Sequence, residues 1–109
     1  MTASRPGRER LANRRLNETF SFECNGLKFT ASASRFADGR LAELFLNNHK
    51  NNSGADVSAR DAAIVLSIAL QFGADLDVIR RALSRDAQGR ATGPLGAALD
   101  RLVKIQAVR

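Results

Sequence analysis

The chain has 109 residues, which fits one domain, because chains commonly divide into several cores only above roughly 250 residues. One cysteine excludes an internal disulfide, and one histidine with one cysteine cannot supply the four ligands of a structural zinc site, so we expect no metal and no cofactor. The start, MTASRPGRERLANRR, lacks the apolar segment of a secretory signal, and no run of about 18 apolar residues follows, so we expect no membrane span and a cytoplasmic location.

The net charge of +6 is concentrated in a basic arm, residues 1–15, which precedes a single predicted domain, residues 16–109. The arm has one glutamate and five arginines, namely Arg5, Arg8, Arg10, Arg14 and Arg15. It is predicted to be flexible when unbound, because it has too few apolar residues to offset the entropy lost on ordering. Its arginines can neutralise the phosphates of a nucleic acid. The alternative is a solvated tail, since the arm has no aromatic residue for base stacking.

Alternating apolar and polar residues predict two strands joined by a tight turn. The first strand begins at Asn17 and places Phe20, Phe22 and Cys24 on one face. Asn25-Gly26 is the dipeptide most favoured for a hairpin turn. The second strand, Leu27 to Arg35, has an apolar face made of Leu27, Phe29, Ala31 and Ala33.

A third strand is predicted from Leu41 to Leu46, after a turn at Asp38-Gly39. Its inward residues are Ala42, Leu44 and Leu46. Phe45 then points to the outer face, where it can pack under the arm or against a second copy of the protein. The three strands form an antiparallel meander whose apolar face needs a cover.

The polar segment from Asn47 to Asp56 is predicted to be a loop at the amino end of a helix. Free N–H groups at such an end, with a lysine nearby, can hold a phosphate or carboxylate. The candidate anion-binding or nucleotide-binding residues are Lys50, Asn51, Asn52, Ser53 and Gly54. Asp56 argues against this site because its own carboxylate would compete, and the alternative is that the loop is a plain connection.

The most apolar segment, Ser58 to Phe72, predicts a long helix. Ser58 and Asp61 resemble a capping box, and Gly73 suits the left-handed residue that ends a helix. Its polar residues, Arg60, Ser67 and Gln71, fall on one narrow stripe, with apolar residues on the other sides. This pattern is typical of a buried helix, so we expect it to lie centrally against the sheet.

Two further helices are predicted after Gly73. The first, Leu76 to Ser84, has Asp75 as its cap, and the second begins at Pro94. Between and beside them lie four further candidate nucleic-acid-binding residues, Arg80, Arg81, Arg85 and Arg90. The predicted class is therefore α+β, a three-stranded antiparallel meander followed by three helices, the first of them central and buried.

Three segments resemble the TSCPD domain, a module found near the carboxyl end of adenosylcobalamin-dependent ribonucleotide reductases and as small free-standing proteins. They are DGRLAELFLNNHKNNSGADV (Asp38 to Val57), LSIALQFGADLDVIRRAL (Leu66 to Leu83) and ATGPLGAALDRL (Ala91 to Leu102). The resemblance implies a stand-alone accessory module. Where the family reads Thr-Ser-Cys-Pro-Asp, this chain reads Ala91-Thr92-Gly93-Pro94-Leu95, so the proline is present while the cysteine and aspartate are replaced.

An enzyme is disfavoured by the sequence. Cys24 falls on an apolar strand face, where a thiol is usually inert, and His49 lies in a loop without an evident partner. We therefore expect a non-catalytic binding or regulatory module. Its partner is predicted to be a nucleic acid or nucleotide, bound through the basic residues. The alternative is a protein partner or a homodimer without nucleic-acid affinity, which the outward Phe45 favours.

Overall fold

The computed structural model describes the backbone of residues 7–13 and 16–107 and the side chains of residues 7–13 and 16–104. Within them, three strands precede three helices, which confirms the predicted α+β class. The strands are β1 (Asn17–Cys24), β2 (Leu27–Arg35) and β3 (Leu41–Asn48), and the helices are α1 (Gly54–Gln71), α2 (Leu76–Ala82) and α3 (Pro94–Ala107). Both strand pairs are antiparallel, in the order β1-β2-β3, as a meander requires.

The first hairpin forms at the predicted dipeptide. Asn25 and Gly26 have φ values of 54° and 78°, the left-handed pair that a two-residue hairpin turn needs. Leu27, which was predicted to point inward, is exposed, because it lies beside the turn at the end of the sheet. An irregularity in the β2–β3 pairing between Ser34 and Arg35 also changes the alternation there, and Ser34 is buried rather than outward.

Helix α1 begins earlier than the sequence predicted. Its cap is Ser53, whose side-chain oxygen accepts a hydrogen bond from the Asp56 amide at 3.1 Å, and the predicted cap Ser58 lies exposed inside the helix. The segment from Ser53 offers the same Ser-x-x-Asp spacing as Ser58 does, one turn and a half upstream. The end is as predicted: Gly73 has a φ of 94° and the Gly73 and Ala74 amides donate to Leu70 and Ala69 carbonyls.

The prediction of a central helix against the sheet is confirmed, but α1 is buried on one face and not on most of its sides. Ser67 and Gln71 of the predicted polar stripe are buried, whereas the apolar residues Ile64, Val65 and Ile68 are exposed. The reason is that α1 lies against β3 and uses its polar side chains to bond the strand's backbone.

The hydrophobic core lies between the sheet, α1 and α3. From the sheet it takes the aromatic ring of Phe29 and several smaller residues, and from α3 it takes Ala98, Leu99 and Leu102. Pro94 is the first residue of α3, and Asp75 caps α2 through its carboxylate, both as predicted. Helix α2 is more peripheral, since Leu76 and Ile79 are only partly buried.

Candidate functional site

Three polar side chains of α1 bond the outer backbone edge of β3. The Asp56 carboxylate accepts from the Asn48 amide at 2.8 Å. The Ser67 hydroxyl accepts from the Leu44 amide at 2.8 Å, and the Gln71 amide donates to the Ala42 carbonyl at 3.1 Å. Residues 42, 44 and 48 share one side of the strand because a strand's backbone direction repeats every two residues. The polar stripe of α1 therefore completes the hydrogen bonding of an edge strand.

The candidate anion loop is organised around its own carboxylate. Asp56 is buried, and its second oxygen accepts from the Asn52 amide at 3.0 Å. The backbone N–H groups of Asn52 and Asn48 hold the pKa of this carboxyl below its usual value, with Arg60 adding a weaker attraction at 3.7 Å. The Asn52 amide, which belongs to the predicted anion loop, therefore already has an acceptor.

The five predicted loop residues do come together at the start of α1. Ser53 donates through its hydroxyl to the Lys50 carbonyl at 2.8 Å, and Gly54 opens the helix. Lys50, Asn51 and Asn52 are exposed. Anion binding here remains a prediction, and the buried carboxylate of Asp56 lies directly behind the loop that would have to hold the anion.

The four arginines near α2 contact aspartates. Arg80 and Arg85 both contact Asp100, at 2.9 and 2.7 Å. Arg81 contacts Asp77 at 3.0 Å, and Arg90 contacts Asp86 at 3.1 Å. Four arginines thus share three aspartates, which leaves this group with a net charge of only +1. Its ability to attract a polyanion is correspondingly reduced.

The described part of the arm contacts the carboxyl end of α1. The Glu9 amide donates to the Gln71 carbonyl at 2.7 Å, and Arg8 donates through Nε to the Gln71 side chain. The Glu9 carboxylate also contacts Arg40 at 3.0 Å. Arg10 is exposed, whereas Arg5, Arg14 and Arg15 lie outside the described residues. The segment around Glu9 is therefore attached to the domain, although the predicted division at residue 15 remains a prediction.

Cys24 and His49 have separate partners. Cys24 is buried, its thiol lies 3.8 Å from the Thr92 carbonyl oxygen, and burial raises the pKa of that thiol. His49, predicted to lack a partner, has its Nε2 3.0 Å from the Thr30 hydroxyl. No group of three metal-ligating side chains occurs in residues 7–13 and 16–107.

The segment in which the TSCPD signature would lie joins the first hairpin to α3. The Thr92 carbonyl accepts a hydrogen bond from the Asn25 side chain at 2.8 Å. Gly93, which the resemblance aligns with the cysteine of the TSCPD signature, lines a cavity of about 300 Å³ beside α1, and a Cβ added there would meet no atom within 4 Å. A side chain larger than glycine therefore fits at this position.

An apolar surface that sequence reasoning missed runs along the outer side of α1. We call it the α1 outer face and define it by Ile64, Val65, Ile68 and Phe72, which are 45%, 67%, 40% and 50% exposed. The signal was present in the sequence as a run of apolar residues too wide for one buried stripe. Phe45 is also exposed, as predicted, and it lies on the strand that α1 borders.

A groove adjoins the α1 outer face. It has a volume of about 490 Å³ and lies between α1, the end of α2 and the start of α3. Its lining is apolar except for Asp61, and consists of Asp61, Ala62, Val65, Leu66, Ala69, Ile79, Leu83 and Leu95. Monomeric soluble proteins rarely leave large contiguous apolar patches in water, and such patches often mark interaction sites.

Within the described part of the chain, no helix has the length and apolar character needed to cross a membrane. No protein-family model matches the sequence, and no solved structure matches it. The chain is similar to two curated proteins that are each named vitamin B12-dependent ribonucleotide reductase. It is 34% identical over 70 residues to the protein from Agrobacterium fabrum and 33% identical over 70 residues to that from Bradyrhizobium diazoefficiens. The match covers 64% of this chain but spans only 6% of each reductase, so the chain is similar to a small region of these enzymes.

Proposed function

We propose that the chain is a non-catalytic accessory module of the TSCPD type, consisting of the arm over residues 1–15 and one domain over 16–109, and that it acts by binding a protein. The similarity to a small region of two B12-dependent ribonucleotide reductases supports a related module. The matched stretch is too short a part of those enzymes to carry their whole activity. An accessory role fits a matched region of this size.

The observation that carries this proposal is the exposure of the α1 outer face. A helix at the centre of the fold leaves two isoleucines, a valine and a phenylalanine in water on one side. Covering them would release roughly 25 cal/mol per Å² of apolar surface removed from water. A protein partner offers apolar side chains for this purpose, and a nucleic acid backbone does not.

Nucleic-acid binding was the first expectation from the sequence, and the charges of the folded part do not favour it. Asp100, Asp77 and Asp86 contact the four arginines near α2, so this group offers a polyanion a net charge of only +1. The part of the arm around Glu9 adds a carboxylate as well as arginines. The same pairing argument applies to a phosphate-bearing nucleotide.

The test uses the purified protein in two parallel binding assays. In the first, tagged wild type, Ile68→Glu and the matched control Val78→Glu capture proteins from an extract of the source cells, and the partners are compared by mass spectrometry. Val78 is an exposed valine of α2 that does not line the groove. We expect a partner that wild type and Val78→Glu retain and that Ile68→Glu loses.

In the second assay, fluorescence anisotropy measures binding of labelled single-stranded and double-stranded DNA at low salt. We expect weak binding that is unchanged by Ile68→Glu. Tight DNA binding with a steep salt dependence, together with equal protein capture by all three variants, would overturn the proposal in favour of a nucleic-acid-binding module.

A further inference from the structure

We propose that Asn25 is a site of spontaneous covalent modification in the folded protein, at which its side-chain amide is converted to aspartate or isoaspartate. The inference concerns the tip of the first hairpin and is independent of the proposed protein-binding function. It rests on the backbone nitrogen of Gly26, which has to attack the Asn25 side chain. That nitrogen is free, whereas the matching nitrogens after four other asparagines are hydrogen bonded.

The reaction joins two groups that are adjacent in the chain. The Gly26 nitrogen forms a bond to Cγ of Asn25 and gives up its proton to the solvent. The bond from Cγ to Nδ2 breaks, and Nδ2 takes up a proton and leaves as ammonia. Water then adds to either carbonyl carbon of the resulting succinimide ring and opens it, which gives aspartate or isoaspartate. Water is the only co-reactant, and no atom is oxidised or reduced.

The turn leaves the attacking nitrogen accessible. Gly26 lies between β1 and β2, and its N–H has no hydrogen-bond acceptor within the described part of the chain. Both turn residues are exposed, so water reaches them, and the space beside Gly26 contains no atom within 4 Å of where a Cβ would lie. Glycine also leaves its φ of 78° at little cost, which allows the ring to close.

At four other asparagines the next nitrogen already donates a hydrogen bond. The nitrogens of Asn48 and Asn52 donate to the Asp56 carboxylate at 2.8 and 3.0 Å. Those of His49 and Ser53 donate to backbone carbonyls at 2.9 and 3.4 Å. A bonded nitrogen must first give up its acceptor, so attack is slower there. The four asparagines that precede these nitrogens are Asn47, Asn51, Asn48 and Asn52.

Asp38-Gly39 also places a glycine after an acidic or amide side chain, but both reacting groups are held. The Gly39 N–H donates to the Phe36 carbonyl at 2.9 Å. The Asp38 carboxylate accepts from the Arg40 amide at 3.1 Å and from Arg40 Nε at 2.7 Å, and these bonds hold the pKa of this carboxyl below its usual value. A carboxylate resists attack by a nitrogen because it already carries negative charge. The neutral amide of Asn25 has no such protection.

Conversion at Asn25 removes a contact between distant parts of the chain. Asn25 Nδ2 donates to the Thr92 carbonyl at 2.8 Å, in the segment between α2 and α3. Nδ2 is the atom that leaves as ammonia, and the carboxylate that replaces it has no proton to donate. Two acceptors then face each other, so the hairpin loses this attachment. Isoaspartate also lengthens the main chain by one carbon within a two-residue turn.

Peptide mapping of aged protein tests the site. The full chain is incubated in mildly alkaline buffer, either folded or unfolded in guanidinium chloride, and is digested with trypsin at intervals. Cleavage after lysine and arginine separates Asn25, in peptide 16–28, from the four asparagines in peptides 41–50 and 51–60, and fragment ions distinguish Asn25 from Asn17. We expect aspartyl and isoaspartyl products to accumulate first at Asn25 in the folded protein.

Unfolding separates the effect of structure from that of sequence. We expect unfolding to accelerate conversion in peptide 51–60 by a larger factor than conversion at Asn25, because the nitrogen after Asn25 is free in both states. A folded chain that stays unconverted at Asn25 while the unfolded chain converts there would overturn the proposal. Earlier conversion in peptide 41–50 or 51–60 of the folded chain would also overturn it.

The variant Asn25→Asp tests the consequence. It has one of the two products at this position without the incubation, and we expect its melting temperature to lie a few degrees below that of wild type. The matched control is Asn17→Asp, at an exposed asparagine of β1, which should melt close to wild type. Equal melting temperatures for Asn25→Asp and wild type would overturn the inferred role of the Thr92 contact.

Discussion

Arg85 and Asp100 form a bidentate ion pair that ties the connection after α2 to the middle of α3. The two nitrogen–oxygen distances are 2.7 and 2.8 Å, and Arg80 adds a third contact to the same carboxylate at 2.9 Å. The hydrogen bonds from Arg85 are the main cause of the lowered pKa of Asp100, and those from Arg80 lower it further.

Replacement of this carboxylate should make stability less dependent on pH. Because the folded pKa of Asp100 is lowered, its contribution is fully present above the unfolded value of about 3.9 and is lost as the pH falls through the folded value. We expect Asp100→Asn to lower the free energy of unfolding by about 1 kcal/mol at pH 7, because the carboxylate is partly exposed. Urea unfolding at pH 7 and at pH 3 checks this. The difference from wild type should shrink at the lower pH.

The control for that experiment is Asp86→Asn. Asp86 contacts the more exposed Arg90, so its replacement should change stability less than that of Asp100. Equal losses in the two variants at pH 7, or an Asp100→Asn loss that persists at pH 3, would contradict the assignment.

Ser67 should matter for stability although it is a serine inside a helix. Its hydroxyl accepts from the Leu44 amide and lies 2.8 Å from the Ala63 carbonyl. Ser67→Ala leaves a buried strand amide without an acceptor, which costs about 1–3 kcal/mol. Chemical denaturation of Ser67→Ala and of Ser58→Ala, an exposed serine of the same helix, provides the comparison. We expect a loss in the first and little change in the second, and a Ser67→Ala midpoint equal to that of wild type would be incompatible with the bond.

The loop before α1 allows a test of anion binding. Since Asp56 takes the Asn48 and Asn52 amides, we expect millimolar phosphate to leave the melting temperature of wild type unchanged. Asp56→Asn should lower the melting temperature by several degrees with or without phosphate, because the buried neutral side chain loses the charge that the two amides stabilise and still covers them. Differential scanning fluorimetry measures both effects.

A phosphate-dependent rise in wild type that Lys50→Ala abolishes would instead establish the anion site that the sequence predicted. Lys50→Ala is not expected to change the melting temperature without phosphate, since Lys50 is exposed.

Removal of residues 1–15 should show that the arm is needed for polyanion binding and is not needed for folding. The deletion loses the contacts of Arg8 and Glu9 with Gln71, and the core residues are untouched. We expect a cooperative melt close to that of the full chain. Any low-salt affinity for heparin or DNA should disappear with the arm, because the arginines near α2 already contact aspartates. Unchanged affinity in the trimmed protein would place the polyanion contacts on the domain instead.

The strands and turns could be predicted because their signals are local. Alternation located β1 and β2, and Asn25-Gly26 located the hairpin, since a turn of that type depends on the two residues within it. A helix end could be predicted only where the sequence contains a single candidate for its cap. Ser53 and Ser58 offer the same spacing to a cap, and the sequence does not say which of them the sheet will favour.

The orientation of α1 could not be predicted because it depends on a long-range partner. Counting apolar residues assumes that a polar side chain gains most from water, whereas Ser67 and Gln71 gain hydrogen bonds from the unpaired edge of β3. The same limit applies to Arg80, whose partner Asp100 lies 20 residues along the chain. A basic cluster is visible in the sequence, and its neutralisation appears only in the fold.

The contacts of α1 with β3 also make the two edges of the sheet differ in how easily another strand can add to them. Of its two outer strands, β3 has backbone groups bonded by Asp56, Ser67 and Gln71, whereas the free edge of β1 receives a long hydrogen bond, from Arg101 to the Ser21 carbonyl at 3.4 Å. An edge strand with unbonded amides and carbonyls is a template for a strand from another molecule. We therefore expect a strand from another molecule to add more easily at β1, where it would displace the Arg101 side chain, than at β3, where α1 would first have to leave the sheet.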